Sequence, residues 1–308
     1  MADRRVIALF GPTGVGKTAV ALELADLLRA RGEDPLAISA DALQVYEGLE
    51  TLTGAVGAEE RARLEHRLVA FIPVSETFSV GAFMPLAHAE IDAALTTGRR
   101  PIVVGGTGLY LRAAVAELDL MPAPPPAVRA RLEAELERMG PEQLHAELAT
   151  RAPAAAATVE PTDRSRILRA LELLEFGALD EPSDPRSSPA GSQLWSEETR
   201  HPTLLVGLVM ERKALYARID ARVEAIVAAG GTGEARRADA AGASRTARKA
   251  LGFEELLAGD VDAMKRHTRN YAKRQLTWMR KLPGATTLDV TGRPPRDVAR
   301  EVAALLDE

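Results

Sequence analysis

Short apolar runs alternate with amphipathic segments over the first third of the chain. Val6–Phe10, Pro35–Ser39 and Pro101–Val104 have the length and composition of buried strands. Thr18–Leu28 and Ala82–Thr96, which lie between them, have apolar residues at helical spacing. Strands that alternate with helices are typical of a parallel sheet covered by helices. We therefore predict an α/β fold with a parallel sheet at its core.

The pattern changes after Met121. The stretch 122–126 is stiff because it is rich in proline, and three segments with helical spacing follow, 128–139, 141–150 and 165–176. Residues 177–202 are rich in Pro, Ser, Asp and Gly, so we expect a mobile loop there. An apolar strand, Thr203–Val209, comes next.

These changes predict three segments along the chain. Residues 1–121 form the α/β core, residues 122–202 form an all-α insertion with the mobile loop, and residues 203–308 return to the core. The last segment continues mainly as helices. Two weaker strands are expected, at Arg67–Ile72 and Thr287–Val290.

Composition limits the function classes. The chain has 308 residues, of which 46% are hydrophobic and 27% charged, as in an ordinary globular protein. The absence of cysteine excludes disulfides, zinc–thiolate sites and a thiol nucleophile. No apolar run approaches the ~20 residues of a membrane span. We expect a cytoplasmic protein without a membrane partner, and no signal peptide, because a strand begins almost at once.

The segment between the first strand and the first helix matches the phosphate-loop pattern G-x-x-x-x-G-K-[ST]. Its residues are Gly11, Pro12, Thr13, Gly14, Val15, Gly16, Lys17 and Thr18. Backbone N–H groups of such a loop bind phosphate oxygens, Lys17 adds a point charge, and the Thr18 hydroxyl can bind Mg²⁺. The predicted ligand is a phosphate ester or anhydride. By itself the loop favours a kinase or another ATP-binding enzyme, with a P-loop NTPase-like sheet.

Two further polar residues follow predicted strands. Asp41 could be a metal ligand or a general base, or it could stabilise a helix end or a loop. Thr107, within the run Gly105–Tyr110, places a hydroxyl at a helix N-terminus or acts as an ordinary helix cap. Ligands bind beyond the carboxyl ends of parallel strands, so Thr18, Asp41 and Thr107 should converge there.

Basic residues cluster far from the phosphate loop, although the net charge of −5 gives no sign of a nucleic-acid partner. Between Met264 and Gly284 there are seven and no acid: Lys265, Arg266, Arg269, Lys273, Arg274, Arg280 and Lys281. Two smaller clusters are Arg236, Arg237, Arg245, Arg248 and Lys249, and Arg129, Arg131, Arg164, Arg166 and Arg169. We predict a surface for a polyanion; the alternative is a docking helix with a solvated basic face.

Arg218 and Arg222 flank the apolar stripe of one predicted helix. Arginine suits phosphate oxygens, but a salt-bridged flank with Asp220 and Glu224 is an alternative.

Together these motifs resemble the tRNA dimethylallyltransferase (isopentenyltransferase) family over nearly the whole chain. The matching runs are 11–18, 39–41 with 44–46, 104–110, 164–172, 218–223, 251–253 and 270–278. The resemblance implies transfer of a dimethylallyl group from dimethylallyl diphosphate to N6 of the adenosine next to the anticodon, position 37. Diphosphate leaves, so the phosphate loop would hold a leaving group.

The resemblance also implies roles for single residues. Asp41 would accept the proton from N6, and Thr107 would lie beside the bond being made. Lys17 and Arg222 would neutralise the charge that develops on the diphosphate. Thr13 would contact the allyl diphosphate, and Thr18 would help to hold Mg²⁺.

The implied partner is the anticodon stem-loop of tRNA, and we expect the protein to be a monomer. The implied contacts are Asp41, Ala42, Leu43, Gln44, Thr107, Arg129, Ser165, Arg166, Ile167, Leu168, Arg169, Lys249, Ala250, Leu251, Gly252, Phe253 and Glu254.

The sequence departs from the family pattern at three places: Ala42 in place of Ser, Thr53–Val56 without Lys-Pro, and Glu65–Ala70 without the final acid. Through these departures, a tRNA-binding protein without activity stays an alternative. Two other enzyme functions also stay open: prenylation of free adenine nucleotides and a small-molecule kinase.

Overall fold

A parallel sheet forms the core of the protein, as the alternating pattern predicts. The computed structural model describes residues 5–121, 124–175, 177 and 194–307. Its strands are β1 (Val6–Phe10), β2 (Pro35–Ser39), β3 (His66–Arg67), β4 (Arg100–Gly105), β5 (Thr203–Val209) and β6 (Thr286–Asp289). Their order in the sheet is β3-β2-β4-β1-β5-β6, and every pair is parallel. The predicted α/β class is confirmed.

Helices connect and cover the strands. In the first part of the chain they are Lys17–Ala30, Glu50–Thr53, Ala58–Arg63, Val80–Thr96 and Gly108–Val115. The middle part contains Pro126–Met139, Pro141–Arg151, Pro153–Ala156 and Arg164–Glu175. After β5 come Arg212–Ala228, Gly231–Ala240, Phe253–Leu257, Val261–Met279 and Pro295–Ala304, with a 3₁₀ turn at Ala247–Lys249. We call Lys17–Ala30 the phosphate-loop helix, Arg212–Ala228 the arginine helix and Val261–Met279 the basic helix.

The sheet is buried on both faces, which explains why its strands are continuous apolar runs. Every residue of β1 is buried, between β4 and β5. On one face Ile7 and Leu9 belong to a cluster with Leu24 and Leu28 of the phosphate-loop helix and Val298 of the last helix. The core therefore fixes the position of the loop that joins β1 to the phosphate-loop helix.

The weak strands differ from their predicted bounds. The strand predicted at Arg67–Ile72 is only His66–Arg67. Leu68 and Ala70 have φ angles of 58° and 49°, in the left-handed region, and this geometry ends the pairing with β2. Farther along, a single parallel bridge joins Ile72 to Tyr46, which lies after the end of β2. At the other end of the sheet, β6 begins one residue earlier than predicted.

Contacts divide the chain into two compact units. The first comprises Met1–Glu117 and Glu197–Glu308, and the second comprises Leu118–Ser196. Within the second unit, helices pack around Leu132, Leu136, Leu144, Ile167 and Leu171, so the insertion is all-α in its described residues. The proposed segment limits at 121 and 202 stay a prediction. Most of the predicted mobile loop, residues 178–193, lies outside the described residues.

The described helices include none with both the length and the apolar character that crossing a membrane requires.

Close contact between two loops requires glycine at the end of β4. A Cβ on Gly105 would lie 2.4 Å from the carbonyl oxygen of Ala40, which follows β2. This contact sets how closely the loops after β2 and β4 approach each other.

Gly105→Ala should therefore destabilise the protein, because the backbone of Ala40 must move to admit the methyl group. We expect a loss of roughly 1–3 kcal/mol in the free energy of unfolding, measured by chemical denaturation. Gly81→Ala is the control, because the Cβ there meets nothing nearer than the Ser79 hydroxyl at 3.7 Å within a helix. It should be neutral or gain up to about 1 kcal/mol. Equal stabilities of the two variants would contradict the steric argument.

Candidate active site

A cavity of about 410 Å³ opens at the carboxyl ends of the central strands. Its walls come from the loops after β1 and β2, from the end of β4, from the arginine helix and from the basic helix. The polar lining includes Thr13, Lys17, Thr18, Asp41, Gln44, Glu60, Arg218, Arg222, Tyr271 and Gln275. Leu43, Leu52, Val223, Ile226, Leu251 and Met264 form an apolar part of the same cavity.

The phosphate loop has the backbone that its glycines permit. Gly14 and Gly16 have φ angles of 81° and 104°, which side chains with a Cβ rarely adopt. Gly16 directly precedes the phosphate-loop helix, and no side chain caps that helix. The N–H groups of its first turn are therefore available to an anion, and the helix dipole favours negative charge there.

Hydrogen bonds hold the Lys17 ammonium group within the loop, where it is poorly solvated. Its Nζ donates to the carbonyl oxygens of Gly11 at 2.9 Å and Pro12 at 3.1 Å. Burial lowers the pKa of Lys17 to about 8, although the Asp41 carboxylate acts in the opposite direction; Arg222 lowers it further. An incoming anion would replace the solvation that Lys17 has lost.

Asp41 both shapes a turn and lines the cavity. One carboxylate oxygen accepts the N–H of Leu43 at 2.9 Å, so the structural role considered for this residue is real. Its charge also acts on Lys17, Arg222 and Tyr271, which places these four side chains around one space. The bond to Leu43 leaves acceptor capacity on the carboxylate, which is what a general base requires.

Thr107 occupies the cap position of its helix without capping it. Its hydroxyl makes no cap hydrogen bond and instead lies 3.1 Å from the Tyr271 hydroxyl. Thr107 is not part of the cavity wall, whereas Tyr271 is. Burial, together with the Asp41 charge, raises the pKa of Tyr271 to about 12, so its hydroxyl keeps its proton.

Arg222 points its guanidinium at the same space. Its Nη2 donates to the carbonyl oxygen of Thr53 at 3.0 Å. Burial lowers the pKa of Arg222, against the opposing effect of Asp41 and Glu60. Arg218 lies beside the phosphate loop, with its Nη2 3.3 Å from where a Cβ on Gly16 would be.

The acidic residues of the arginine helix pair elsewhere. Asp220 contacts Arg269 at 3.1 Å and Glu224 contacts Lys265 at 2.6 Å, both on the basic helix. Asp220 and Glu224 therefore form salt bridges to the basic helix and not to Arg222, whose side chain lines the cavity.

Gln275 is a site residue that the sequence analysis missed. Its Oε1 accepts the N–H of Thr13 at 2.8 Å, and its Nε2 donates to the carbonyl oxygen of Gly106 at 2.7 Å. Two signals pointed to it: Gln275 lies at helical spacing from Tyr271 and Trp278, and it belongs to the matching run 270–278. The glycines opposite are required, since a Cβ on Gly106 would lie 2.4 Å from Gln275 and one on Gly108 would lie 2.3 Å from Trp278.

The residues predicted to contact tRNA differ in their exposure: some are buried, and others form ion pairs. In the second unit, Ile167 and Leu168 are buried, and Arg129 and Arg169 pair with the buried Glu172. Arg166 is exposed and pairs with Asp163 at 3.5 Å.

In the first unit, Ala250 and Phe253 are buried, Leu251 lines the cavity, and Glu254 pairs with Arg248 at 2.9 Å. All of these tRNA contacts stay predictions.

Metal binding at this site would depend on the ligand. Among the residues that the structure describes, no three His, Cys, Asp or Glu side chains group together as a metal site. The Thr18 hydroxyl and the Asp41 and Glu60 carboxylates do line the cavity. Oxygen donors in this number suit Mg²⁺, which keeps several waters and takes further oxygens from a substrate phosphate.

Anion binding should depend on pH through Lys17. Sulfate keeps its charge near neutral and alkaline pH, so its affinity should fall as pH rises above about 8, where Lys17 loses its proton. The fall can reach about tenfold for each pH unit. Lys17→Met should bind sulfate more weakly at every pH and without this dependence. Calorimetric titrations across the range measure both, and a flat profile for the unsubstituted protein would contradict the role given to Lys17.

Known proteins resemble this chain over nearly its full length. The family described as IPP transferase matches residues 44–282. A tRNA dimethylallyltransferase of Kineococcus radiotolerans is 40% identical, with 98% of this chain and 96% of the relative covered. One of Symbiobacterium thermophilum is also 40% identical, covering 96% and 92%. The crystal structure of the tRNA isopentenylpyrophosphate transferase of Bacillus halodurans has a TM-score of 0.68 at 32% identity, covering 99% and 97%. The chain therefore belongs to the IPP transferase family, whose curated relatives are tRNA dimethylallyltransferases.

Proposed function

We propose that this protein transfers a dimethylallyl group from dimethylallyl diphosphate to N6 of the adenosine beside the anticodon of tRNA. The observation that carries the proposal is one cavity that combines a phosphate loop, a carboxylate and an apolar wall. An allyl diphosphate has a hydrocarbon part to bury, and the apolar wall beside the phosphate loop fits it. The names of the relatives supply tRNA as the acceptor.

The positive side chains would hold and stabilise the diphosphate. Negative charge grows on this group as the bond between the allylic carbon and oxygen breaks. Lys17 and Arg222 face the cavity already stripped of much of their water, so they need little reorganisation as that charge develops. The N–H groups of the phosphate-loop helix and Arg218 would contact the remaining oxygens.

Mg²⁺ would bind at the Thr18 hydroxyl together with diphosphate oxygens. When bound, it neutralises charge on the leaving diphosphate. Because Lys17 and Thr18 are adjacent in the chain, the Lys17 ammonium group and the Thr18 hydroxyl would approach the diphosphate from the same helix turn.

Asp41 would accept the proton of the attacking amine. The exocyclic N6 amine is too weak an acid to ionise first, so its proton leaves as the bond from N6 to the allylic carbon forms. The electron pair of the breaking carbon–oxygen bond departs with the diphosphate. The Leu43 N–H fixes one oxygen of Asp41, which restricts the rotation of the carboxylate and orients it toward the amine.

The hydroxyls of Thr107 and Tyr271 would help to place the target base. They share a hydrogen bond, and Tyr271 stays protonated at neutral pH. A base must leave its stack to reach such a cavity, and a loop nucleotide does so at the least cost. This favours a loop nucleotide as the acceptor, and a nucleotide of the anticodon loop meets that condition.

Replacing Asp41 should abolish most of the transfer. Asp41→Asn should lower kcat/KM by about 10²–10⁴, because the amide cannot accept the proton. The measurement is mass analysis of tRNA nucleosides after incubation with Mg²⁺ and dimethylallyl diphosphate. Asp34→Asn, just before β2 at the opposite end of the strand, is the control and should keep its activity.

The same assay separates the alternatives. Product on AMP but not on tRNA would indicate an enzyme of free nucleotides, and phosphate transfer from ATP would indicate a kinase. Binding of tRNA without any product would indicate a protein that has lost the reaction.

The Thr18 hydroxyl should set the Mg²⁺ requirement. Thr18→Val removes the oxygen but keeps the side-chain shape. The Mg²⁺ concentration for half-maximal activity should therefore rise by at least about tenfold. Thr18→Ser keeps the hydroxyl and should keep the original requirement. Identical Mg²⁺ titrations of the valine variant and the unsubstituted protein would remove Thr18 from the metal site.

A further inference from the structure

A buried carboxylate outside the cavity holds the segment that supports Arg222. Glu234, on the helix Gly231–Ala240, is 8% exposed and does not line the cavity. Its Oε1 accepts the N–H of Thr51 at 3.0 Å, and its Oε2 accepts the N–H of Leu52 at 2.8 Å. Both oxygens thus serve one short helix, Glu50–Thr53, that lies far away in the sequence.

That helix cannot supply its own cap. The cap position is Leu49, which has no hydrogen-bonding side chain. The first N–H groups of a helix have no partner within the helix, and leaving them unpaired in a buried place costs free energy. A carboxylate at this end also interacts favourably with the helix dipole. Glu234 therefore does from a distance what a local Ser or Asp does in most helices.

The other end of the same short helix contacts Arg222. The Thr53 carbonyl oxygen accepts the hydrogen bond from Arg222, and Gly54 follows in the left-handed conformation with φ of 59°. A Cβ on Gly54 would lie 1.8 Å from Nη2 of Arg222, so the guanidinium rests directly against this backbone. Because the helix has only four residues, fixing its first turn also fixes its last carbonyl.

We infer that Glu234 is a positioning residue for Arg222, acting through the helix Glu50–Thr53. The inference rests on the proposed function, in which Arg222 contacts the diphosphate. Without the carboxylate, the short helix frays, the Thr53 carbonyl loses its position, and the guanidinium leaves the geometry in which it meets the diphosphate. A shift of this kind is expensive even though Glu234 touches no substrate.

The test uses Glu234→Gln, which keeps the size of the side chain. Its amide can accept only one of the two N–H groups and presents its own N–H to the other. The probe is inorganic diphosphate with Mg²⁺, titrated calorimetrically against the full-length protein. We expect Glu234→Gln to weaken diphosphate binding about tenfold, the loss expected for a misplaced charge-assisted hydrogen bond.

A double variant separates positioning from general destabilisation. If Glu234 acts through Arg222, adding Glu234→Gln to Arg222→Ala should weaken diphosphate binding no further, because the affected contact is already gone. Asp239→Asn, on the same helix but paired with Arg248, is the matched control and should bind diphosphate normally. Thermal unfolding of each variant establishes that all are folded at the assay temperature.

The outcomes separate the two proposals. No diphosphate binding by the unsubstituted protein would contradict the proposed function and the inference with it. Binding that Glu234→Gln leaves unchanged, or losses from the two substitutions that multiply in the double variant, would overturn the inference alone.

Discussion

A single buried amide joins the two loops on which the site depends. Gln275 binds the backbone of the phosphate loop with its oxygen and the backbone of the glycine run after β4 with its nitrogen. Both polar groups are satisfied and the side chain is 4% exposed, so loss of either partner would leave a buried group unpaired. Neighbouring side chains of the basic helix reach the same glycine run, Tyr271 at Thr107 and Trp278 at Gly108. The sheet brings the loops to one edge, and this helix sets their spacing.

The site is built with its cations partly desolvated before any ligand arrives. Lys17 and Arg222 both have lowered pKa values, chiefly because of burial, and the Asp41 carboxylate offsets part of the cost. Such a site is costly for the empty protein and favourable for an anion that restores the lost solvation. Desolvation of these cations lowers the stability of the free protein, and it strengthens their interaction with a bound anion and with the transition state.

The sequence predicted those features that depend on local pattern. Val6–Phe10 and Pro35–Ser39 were predicted to the residue, because buried parallel strands are unbroken apolar runs. The convergence of Thr18 and Asp41 on one cavity followed from the rule that parallel strands end at one edge. Thr107, predicted to join them, lies outside the cavity wall and contacts Tyr271, which lines it.

What the sequence could not predict depends on pairs of residues far apart in the chain. Glu234 and Thr51, or Gln275 and Thr13, carry no local signal of their contact. The left-handed backbone at Leu68 and Ala70 could not be predicted from the sequence, because neither residue type favours that conformation. The basic run after Met264 looked uncompensated because the acids that pair with Lys265 and Arg269 lie on the arginine helix.

Those cross-helix pairs affect how strongly the protein should respond to ionic strength. Each phosphate neutralised by a lysine or arginine releases condensed counterions from a nucleic acid. The slope of log affinity against log salt concentration therefore reports how many phosphates are neutralised. Lys265 and Arg269 are engaged with Glu224 and Asp220, and in the other unit Arg129 and Arg131 are engaged with glutamates. A basic side chain held in this way must give up its acid before it displaces a counterion. The dependence of tRNA affinity on salt should therefore be shallower than the number of lysines and arginines suggests, with shape and hydrogen bonding supplying a larger share of the recognition.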